Sequence, residues 1–465
     1  MSKLPKNQAR PIIQEFADEI NSVKIEISND KPIPFRDDKN QNKIRPGYKI
    51  PIELLRFRKD NGRISSDVLT WEISKGKLEE ATDFGQGKLK RFLELKDPEP
   101  TNELINSLYK EGQDEKAIIT VDGFLINGNR RKMALEKLLE KYPGNEKFKY
   151  LEVVILPGPG DPEPLPTLLE IEQLENRLQL QRKGIAEYYN FDKALSIKRK
   201  IDLGMTLEEQ LADDANYYNL PPKELKSKIA KFIDNYLKPL ECIDKYLNYL
   251  KRPGHYNTVS EGRGDNKGRW QAFLDYHNLV YKKLLNEKQR IKLGIQEDEI
   301  GQIENIAFKI IRKRDLEGLK KAHQIMRDIP KLISNPKSKK ELFKLVAIDF
   351  DLPQDEIINE EGKPIDEKMK DIIWGSKYKN DIEWCVKTAY DILEQKKEID
   401  TPLDLLKMAS DKLNHSALDI KKIEIGRIKD ALNLTRMIQS RANEIESLLF
   451  DLRKKKFIKK PLKKK

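Results

Sequence analysis

Residues 117–140, AIITVDGFLINGNRRKMALEKLLE, constrain the fold more than any other part of the chain. Two short apolar runs, residues 117–121 and 124–126, lie on either side of Asp122 and Gly123. An Asp-Gly pair between such runs is typical of a tight turn between two strands. The sequence therefore predicts a β-hairpin at this position.

A helix is predicted directly after the hairpin. Gly128 interrupts the extended pattern, apolar residues then recur at helical spacing, and Pro143 ends the pattern. Arg130 and Arg131 are therefore expected in the first turn, where backbone N–H groups have no partner within the helix and the helix dipole is positive. Two guanidinium groups beside such N–H groups indicate a compact phosphate site.

Composition limits the class of protein and of partner. The chain has 465 residues, 36% of them charged, and a net charge of +12, which favours an anionic partner such as nucleic acid. The two cysteines, Cys242 and Cys385, are far apart and the four histidines are scattered, which argues against a disulfide scaffold and a Cys/His metal site. The chain has no long apolar run or signal-like N-terminus. We therefore expect no membrane association and a cytoplasmic location.

The elements around the hairpin predict a small mixed α/β domain over residues 46–183. A strand is predicted at residues 48–57, a helix at 101–110 and a second strand at 151–156. Residues 1–45 are predicted as an N-terminal arm or a small extra strand.

A helix with a clear beginning follows this domain. Thr167 and Glu170 have the spacing of a capping box, and apolar residues at helical spacing come after them. Glu175 and Asn176 lie beside the apolar stripe, and a carboxylate next to an amide is a plausible oxygen pair for a hydrated magnesium ion. The alternative, which spacing alone favours, is that both residues are solvated helix positions.

Two short segments resemble the conserved boxes of the ParB/sulfiredoxin-like superfamily. They are GNRRKMA at residues 128–134 and LENRLQLQR at residues 174–182, and the segment that begins at Ala194 resembles the ParB segment entering its helix-turn-helix. The resemblance covers roughly residues 48–250. The usual ParB boxes read Gly-Glu-Arg-Arg and Glu-Asn-Leu-Gln-Arg. This chain differs in having Asn129 in place of the first glutamate and an inserted Arg177.

The resemblance implies a site for a nucleoside triphosphate and magnesium. CTP is favoured by the family and ATP is the alternative. The implied nucleotide-binding residues are Gly128, Asn129, Arg130, Arg131 and Asn176. Asn176 and Glu175 would hold the metal ion, and Glu175 would act as a catalytic residue near the γ-phosphate.

The sequence is compatible with three functional interpretations of this predicted site. The first is a nucleotide-dependent switch in a DNA-binding protein, with NTP hydrolysis undecided. The second is an enzyme of the same superfamily that uses the pocket for phosphoryl transfer or DNA cleavage, and the third is a scaffold without nucleotide. Thiol chemistry of the sulfiredoxin kind is excluded, because the predicted phosphate turn has no cysteine.

A helix-turn-helix is predicted within residues 184–252. A helix at 206–218, a turn with Pro221 and a second helix at 222–236 fit this motif. The outward side of the second helix carries the predicted DNA-binding residues Lys223, Lys226, Ser227, Lys228 and Lys231. The alternative is an ordinary helical hairpin with a lysine-rich solvent face.

The remainder of the chain is predicted to be helical. Residues 253–270 form a Gly-rich loop and residues 271–410 a helical domain, in which Trp374, Trp384 and Tyr390 are predicted core residues. No catalytic motif is evident there.

Residues 411–465 are predicted as a long helix with a basic tail. Apolar residues recur at threes and fours from Leu418 onward, a pattern that fits either a dimer seam or internal packing. Because ParB-type proteins usually dimerise through this region, we expect a homodimer. The basic tail attracts polyanions without sequence preference. Taken together, the sequence predicts an α+β, ParB-like DNA-binding protein associated with the nucleoid of a prokaryote or with a phage.

Overall fold

The computed structural model describes residues 8–29, 31–96, 98–180, 190–212, 220–260, 269–358, 362–415 and 418–458. The chain forms two compact units, Met1–Leu393 and Glu394–Lys465. The predicted α+β class is confirmed, since the described residues are mainly helical and contain one four-stranded mixed sheet.

The first half of the chain holds the sheet and the helices around it. The strands are β1 (Ile25–Ile27), β2 (Gly47–Pro51), β3 (Ala117–Ile119) and β4 (Tyr150–Ile155). The helices are α1 (Gln14–Val23), α2 (Ser65–Lys75), α3 (Asp83–Lys96), α4 (Pro98–Lys110), α5 (Asn129–Lys141), α6 (Leu168–Leu180), α7 (Asn190–Asp202), α8 (Leu207–Ala212) and α9 (Pro222–Phe232).

The second half is helical. A π-helical segment at Ile233–Leu237 continues α9 into the next helix, and a second one at Tyr276–Tyr281 lies between two later helices. The helices are α10 (Lys238–Tyr249), α11 (Trp270–Asp275), α12 (Lys282–Leu285), α13 (Glu287–Lys292), α14 (Ile300–Lys313), α15 (Ala322–Ser334), α16 (Pro336–Phe343), α17 (Glu367–Lys377), α18 (Lys379–Leu413) and α19 (Ile428–Ile458).

The sheet has the strand order β1-β2-β4-β3, in which β3 is parallel to β4 and the other neighbours are antiparallel. The predicted hairpin forms at the β3 edge, where the Ile126 N–H donates to the Ile118 carbonyl at 2.9 Å. Gly123 has φ +83°, a left-handed conformation that suits glycine. The predicted strand at 151–156 is confirmed as β4.

The strand predicted at residues 48–57 is shorter than expected. It ends at Pro51, and residues 52–54 form a 3₁₀ turn. Because proline has no N–H to donate, it commonly marks a strand end. The chain after the turn passes beside the hairpin, where the Arg56 N–H donates to the Gly123 carbonyl at 2.9 Å.

Residues 1–45, predicted as an arm or a small extra strand, contribute α1 and β1 to this fold. The buried Asp122 of the hairpin turn anchors them, because both of its oxygens accept from Arg10 at 2.8 Å and one accepts from the Ile13 N–H at 3.1 Å. The Thr120 hydroxyl also donates to Asp122, at 2.6 Å. A turn residue thus ties the N-terminal segment to the sheet.

Glu163 fixes the segment between β1 and β2 onto the loop before α6. Its carboxylate accepts from Arg45 Nη2 at 2.8 Å, from Arg36 Nη1 at 3.3 Å and from Lys43. Hydrogen bonds from Arg45 and Lys43 lower the pKa of Glu163 to about 2.

The depressed pKa of Glu163 predicts a pH-dependent contribution to stability. The contribution is complete above pH ~4.5, the ordinary pKa of a glutamate, and is lost as pH falls towards about 2. Because the side chain is a quarter exposed, we expect Glu163→Gln to cost only about 1–2 kcal/mol at pH 7. The measurement is urea unfolding of both proteins from pH 7 to pH 3. Glu224→Gln, on the exposed surface of α9, is the control, and a difference that stays constant with pH would contradict the prediction.

The two faces of the sheet are covered by different helices. On one face, Met133 and Leu138 of α5 pack with Ile119 and Leu151. The other face has Ile118 and Val154 in a separate cluster with three residues of α6, which are Ile171, Leu174 and Leu178. The alternation along β3 and β4 follows from the period of two in a strand.

A larger apolar core joins the helices from α7 to α18. Phe191 and Leu195 of α7 belong to it, so α7 packs with the helical part of the unit. Trp374 is fully buried and Tyr390 packs against this core, as predicted. The prediction for Trp384 was wrong, because its side chain is 68% exposed.

Asp371 is the polar centre of this helical core. Its Oδ1 accepts from Arg252 at 2.5 Å and from Arg312 at 2.9 Å, and its Oδ2 lies 3.0 Å from Arg269 Nη2. Burial acts to raise the pKa of Asp371, but the three guanidinium groups hold it below its ordinary value. One carboxylate thus contacts three guanidinium groups that come from separate parts of the chain.

The unit Glu394–Lys465 is built from the end of α18 and from α19. Large apolar side chains on α19 are exposed to solvent, among them Leu432, Ile438, Leu449 and Leu452. None of the helices in the described ranges is long and apolar enough to cross a membrane.

Candidate functional site

The turn that carries the first box contains a glycine in the left-handed conformation directly before helix α5. Gly128 has φ +86° and stands at the N-cap of α5, and no side chain caps this helix end. A Cβ atom at this position would lie 2.7 Å from the Cβ of Ala117, so only glycine fits. The predicted helix start is therefore confirmed, and its first N–H groups are not used by a side-chain cap.

The side chains of this turn differ in their surroundings. Asn129 is buried, and its Oδ1 accepts no hydrogen bond within the described part of the chain. Arg130 and Arg131 are half-buried, and Arg131 Nη1 donates to the Glu115 carbonyl. The first turn of α5 has no acidic residue. A buried acceptor, two guanidinium groups and an uncapped helix end therefore lie together, and this combination suits an anion that also carries a hydrogen-bond donor.

The second box lies in a buried cluster of charged residues. Glu175 is only 3% exposed. Its Oε2 accepts from Arg58 Nη2, and its Oε1 accepts from the Gly62 N–H at 3.3 Å. Glu175 and neighbouring Glu172 raise the pKa of the Arg58 guanidinium above its ordinary value although burial acts to lower it. We therefore take Arg58 and Glu175 as a buried ion pair.

Asn176 joins this cluster to the helices that follow. Its Nδ2 donates to the Gln210 carbonyl at 2.9 Å, and its Oδ1 accepts from Lys200 Nζ at 3.0 Å. Lys200 is 3% exposed, and burial lowers the pKa of its ammonium group against the opposing effect of Glu175. The amide therefore contacts α7 through its oxygen and α8 through its nitrogen.

A third carboxylate completes the link to α7. Glu172 Oε1 accepts from Arg199 Nη2 at 2.8 Å and from Arg58 Nη1 at 3.3 Å. Arg199 Nη2 also lies 3.3 Å from Asp60 Oδ1. Burial raises the pKa of the Glu172 carboxyl even though both arginines oppose it. Three cations, Arg58, Arg199 and Lys200, thus face the carboxylates of Asp60, Glu172 and Glu175, and we call these six residues with Asn176 the box cluster.

Two interpretations of Glu175 and Asn176 were drawn from the sequence, a magnesium site and solvated helix positions. Neither describes these contacts. The solvated alternative was wrong, because both residues are buried. The magnesium site does not fit the arrangement, since the oxygens of Glu175 accept from Arg58 and Gly62 and the oxygen of Asn176 accepts from Lys200. No group of three or more His, Cys, Asp or Glu side chains that would suit a metal ion occurs in the described ranges.

Five residues of the box cluster were not predicted from the sequence. They are Arg58, Asp60, Glu172, Arg199 and Lys200. One local signal was available, since Glu172 and Glu175 are three residues apart and so share a face of α6. This spacing shows that the two carboxylates are neighbours, but it does not identify their partners.

The two boxes are carried by different layers of the fold. Gly128, Asn129, Arg130 and Arg131 begin α5 on one face of the sheet, whereas the residues of the second box belong to α6 on the other face. The structure thus brings the four residues of the first box together, and it separately brings Glu175 and Asn176 into the box cluster.

The helix predicted to read DNA is exposed along its whole length. Every residue of α9 is at least partly accessible, and Lys223, Lys226, Ser227, Lys228 and Lys231 are all exposed. Leu225 and Ile229, two apolar residues of the same helix, are half-buried. The first helix of the predicted motif is α8, which begins with a Thr206–Glu209 capping box, and the rest of it, residues 213–218, lies outside the described residues.

Comparison of the chain with protein-family models, with curated proteins and with solved structures found no match.

Proposed function

We propose that this chain is a DNA-binding protein whose N-terminal domain binds a nucleoside triphosphate at the start of α5 and uses it as a switch. The observation that carries this proposal is the turn at residues 128–131, where a left-handed glycine, an uncapped helix end and two arginines occur together. The buried Oδ1 of Asn129 adds a hydrogen-bond acceptor for a donor group of the nucleoside, since phosphate oxygens only accept. The resemblance of the two boxes to ParB proteins favours CTP, with ATP as the alternative.

Magnesium enters this proposal as the counter-ion of the phosphates. The oxygens of Glu175 and Asn176 already contact Arg58 and Lys200, so we assign no catalytic or metal-binding step to them. Their contacts instead link the sheet domain to α7 and α8, the helices that precede α9. A nucleotide that changes the position of α5 or α6 would thereby act on the DNA-binding segment.

The nucleotide site is tested by calorimetric titration of CTP, ATP and GTP into the full chain. We expect the Arg130→Ala, Arg131→Ala double variant to bind at least about 100-fold more weakly, because each charge-assisted hydrogen bond contributes about 1.5–3 kcal/mol. The matched control is Arg91→Ala, Arg441→Ala, since both side chains are 65% exposed on other helices. Nucleotide binding that survives the first double variant would place the site elsewhere. A wild-type protein that binds no nucleotide, with or without DNA and magnesium, would reject the switch.

The second part of the proposal is that α9 contacts DNA. Its support is the row of exposed lysines on a helix with no buried residue, in a chain with a net charge of +12. A DNA partner would place the protein at the nucleoid. The proposed dimer is supported by the exposed apolar side chains of α19, which recur at helical spacing and suit a second copy of the same helix.

The role of α9 in DNA binding predicts a change in salt dependence. We expect Lys226→Ala, Lys231→Ala to weaken binding to a 30-base-pair duplex about tenfold and to reduce the slope of log K against log salt by about two, one for each lost phosphate contact. Fluorescence anisotropy across a salt series measures both quantities. Lys288→Ala, Lys292→Ala on α13 is the control, since these lysines are equally exposed. Equal slopes for the two double variants would contradict the assignment.

A further inference from the structure

Lys200 is a buried lysine whose ammonium group is aimed at one oxygen. Its Nζ donates to Asn176 Oδ1 at 3.0 Å, and only 3% of the residue is exposed. Lysine is almost never fully buried unless it is paired. The placement of Lys200 therefore requires a specific partner, and Asn176 with the adjacent Glu175 provides it.

The orientation of the Asn176 amide is fixed from its other end. Its Nδ2 donates to the Gln210 carbonyl at 2.9 Å, so the oxygen must face Lys200. A metal ion needs this same oxygen, since the amide nitrogen is not an oxygen ligand of the kind that magnesium binds. Lys200 and a magnesium ion would thus compete for a single atom.

We propose that the Lys200 ammonium group is the cation at the Asn176 oxygen of the box cluster and occupies the position that the ParB resemblance assigns to magnesium. This inference rests on the proposed function in one respect, which is that it takes Glu175 and Asn176 as the counterpart of the second ParB box. It implies that the protein holds no divalent metal at Asn176 and that its nucleotide affinity does not depend on a metal ion there.

The charges of the box cluster favour this assignment. Its three cations and three carboxylates balance, so the cluster carries no net charge as it stands. A magnesium ion added beside Lys200 would leave two uncompensated positive charges in a buried place, which is strongly unfavourable. Removal of Lys200 would instead leave one uncompensated negative charge next to the Asn176 oxygen.

This cation is supplied by α7 and not by the solvent. Arg199, the preceding residue on α7, contacts Glu172 at 2.8 Å, so two adjacent residues fasten α7 to α6. A metal ion would bind α6 without α7. With Lys200 in place of a metal ion, the contact between α6 and α7 does not depend on the supply of metal.

The first test uses the wild-type chain without nucleotide. Manganese(II), titrated into the protein and followed by electron paramagnetic resonance, should show no bound ion that depends on Asn176. Magnesium chloride should shift the melting temperature no more than sodium chloride at the same ionic strength. A bound manganese ion that disappears in Asn176→Ala would overturn the inference.

The second test removes the ammonium group. Lys200→Ala should lower the melting temperature by several degrees, and millimolar magnesium should restore part of this loss, because the vacated position is left next to one uncompensated negative charge. Lys200→Ala, Asn176→Ala should not be restored. Lys198→Ala is the matched control, because Lys198 lies on the same helix but is partly exposed and pairs with Asp244.

Each outcome of the second test is informative. A Lys200→Ala protein that folds only with magnesium would support the inference, whereas one that magnesium does not stabilise, or that does not fold at any magnesium concentration, would overturn it. These readouts contain no nucleotide. Failure of the proposed function, seen as absent nucleotide binding in calorimetry, is therefore distinguishable from failure of the Lys200 assignment.

Discussion

Replacing Arg58 by methionine is expected to lower the free energy of unfolding by about 3–5 kcal/mol, because removing one partner of a buried ion pair leaves the other charge uncompensated. Arg58 contacts both Glu175 and Glu172, and all three side chains are almost completely buried. Methionine fills most of the space of the arginine stem, so the loss reports on charge more than on packing. Urea unfolding followed by circular dichroism measures it.

The loss in Arg58→Met should also depend on pH in a defined direction. Burial already raises the pKa of the Glu172 carboxyl, and without Arg58, which opposes this effect, the pKa should lie further above its value in the unfolded chain. The free energy of unfolding of the variant then falls as pH rises through this raised pKa. The loss relative to the wild-type chain should therefore be larger at pH 8 than at pH 5.

Two further variants isolate the electrostatic part of this effect. Arg58→Met combined with Glu175→Gln should be less destabilised than the sum of the single changes, with a coupling of at least about 1 kcal/mol. Arg91→Met, at an exposed position on α3, should change stability by no more than about 0.5 kcal/mol. An Arg58→Met protein as stable as this control would show that the box cluster contributes nothing to folding.

Replacing Asp371 by asparagine is expected to cost about 3–5 kcal/mol in the helical core. The change keeps the shape of the side chain but leaves Arg252, Arg269 and Arg312 without their shared carboxylate. Arg312 also lies over the ring of Trp374, 4.4 Å from its centroid. Near-ultraviolet circular dichroism, which senses the packing of buried tryptophan, should therefore change together with the unfolding curve.

The control for this prediction is Asp351→Asn, whose side chain is 58% exposed and pairs with Lys251. It should have little effect, since exposed ion pairs contribute only about 0–1 kcal/mol. Adding Arg312→Met to Asp371→Asn should recover part of the stability by removing a cation whose carboxylate partner is Asp371. No recovery, or equal losses in the two aspartate variants, would contradict the role assigned to Asp371.

Much of the sheet domain follows from local pattern. The hairpin at residues 117–126 and α5 after it were predicted because turn residues and apolar spacing act over only a few positions. The beginning of α6 was predicted for the same reason, since the Thr167–Glu170 capping box is complete within four residues. Even here the end of β2 was misplaced, because the apolar pattern continues past Pro51, where the strand ends and a 3₁₀ turn begins.

Only part of the candidate site could be predicted from the sequence. The turn with Gly128 and the two arginines was predicted because its residues are consecutive in the sequence. The environment of Glu175 was not, since its partner Arg58 is 117 residues away and Lys200 lies 24 residues from Asn176. An acidic residue beside an apolar stripe has the same local pattern whether it faces water, a metal ion or a buried arginine.

By itself the sequence determined most of the helices and strands and the turn at residues 128–131, because backbone preference and apolar periodicity are local properties. Only the tertiary structure decided which charges meet. It placed α5 and α6 on opposite faces of the sheet, exposed Trp384, and brought Lys200 to the oxygen that a metal ion was expected to hold. The physical reason is that a buried charge must be compensated wherever the fold places it, and residues distant in sequence provide that compensation.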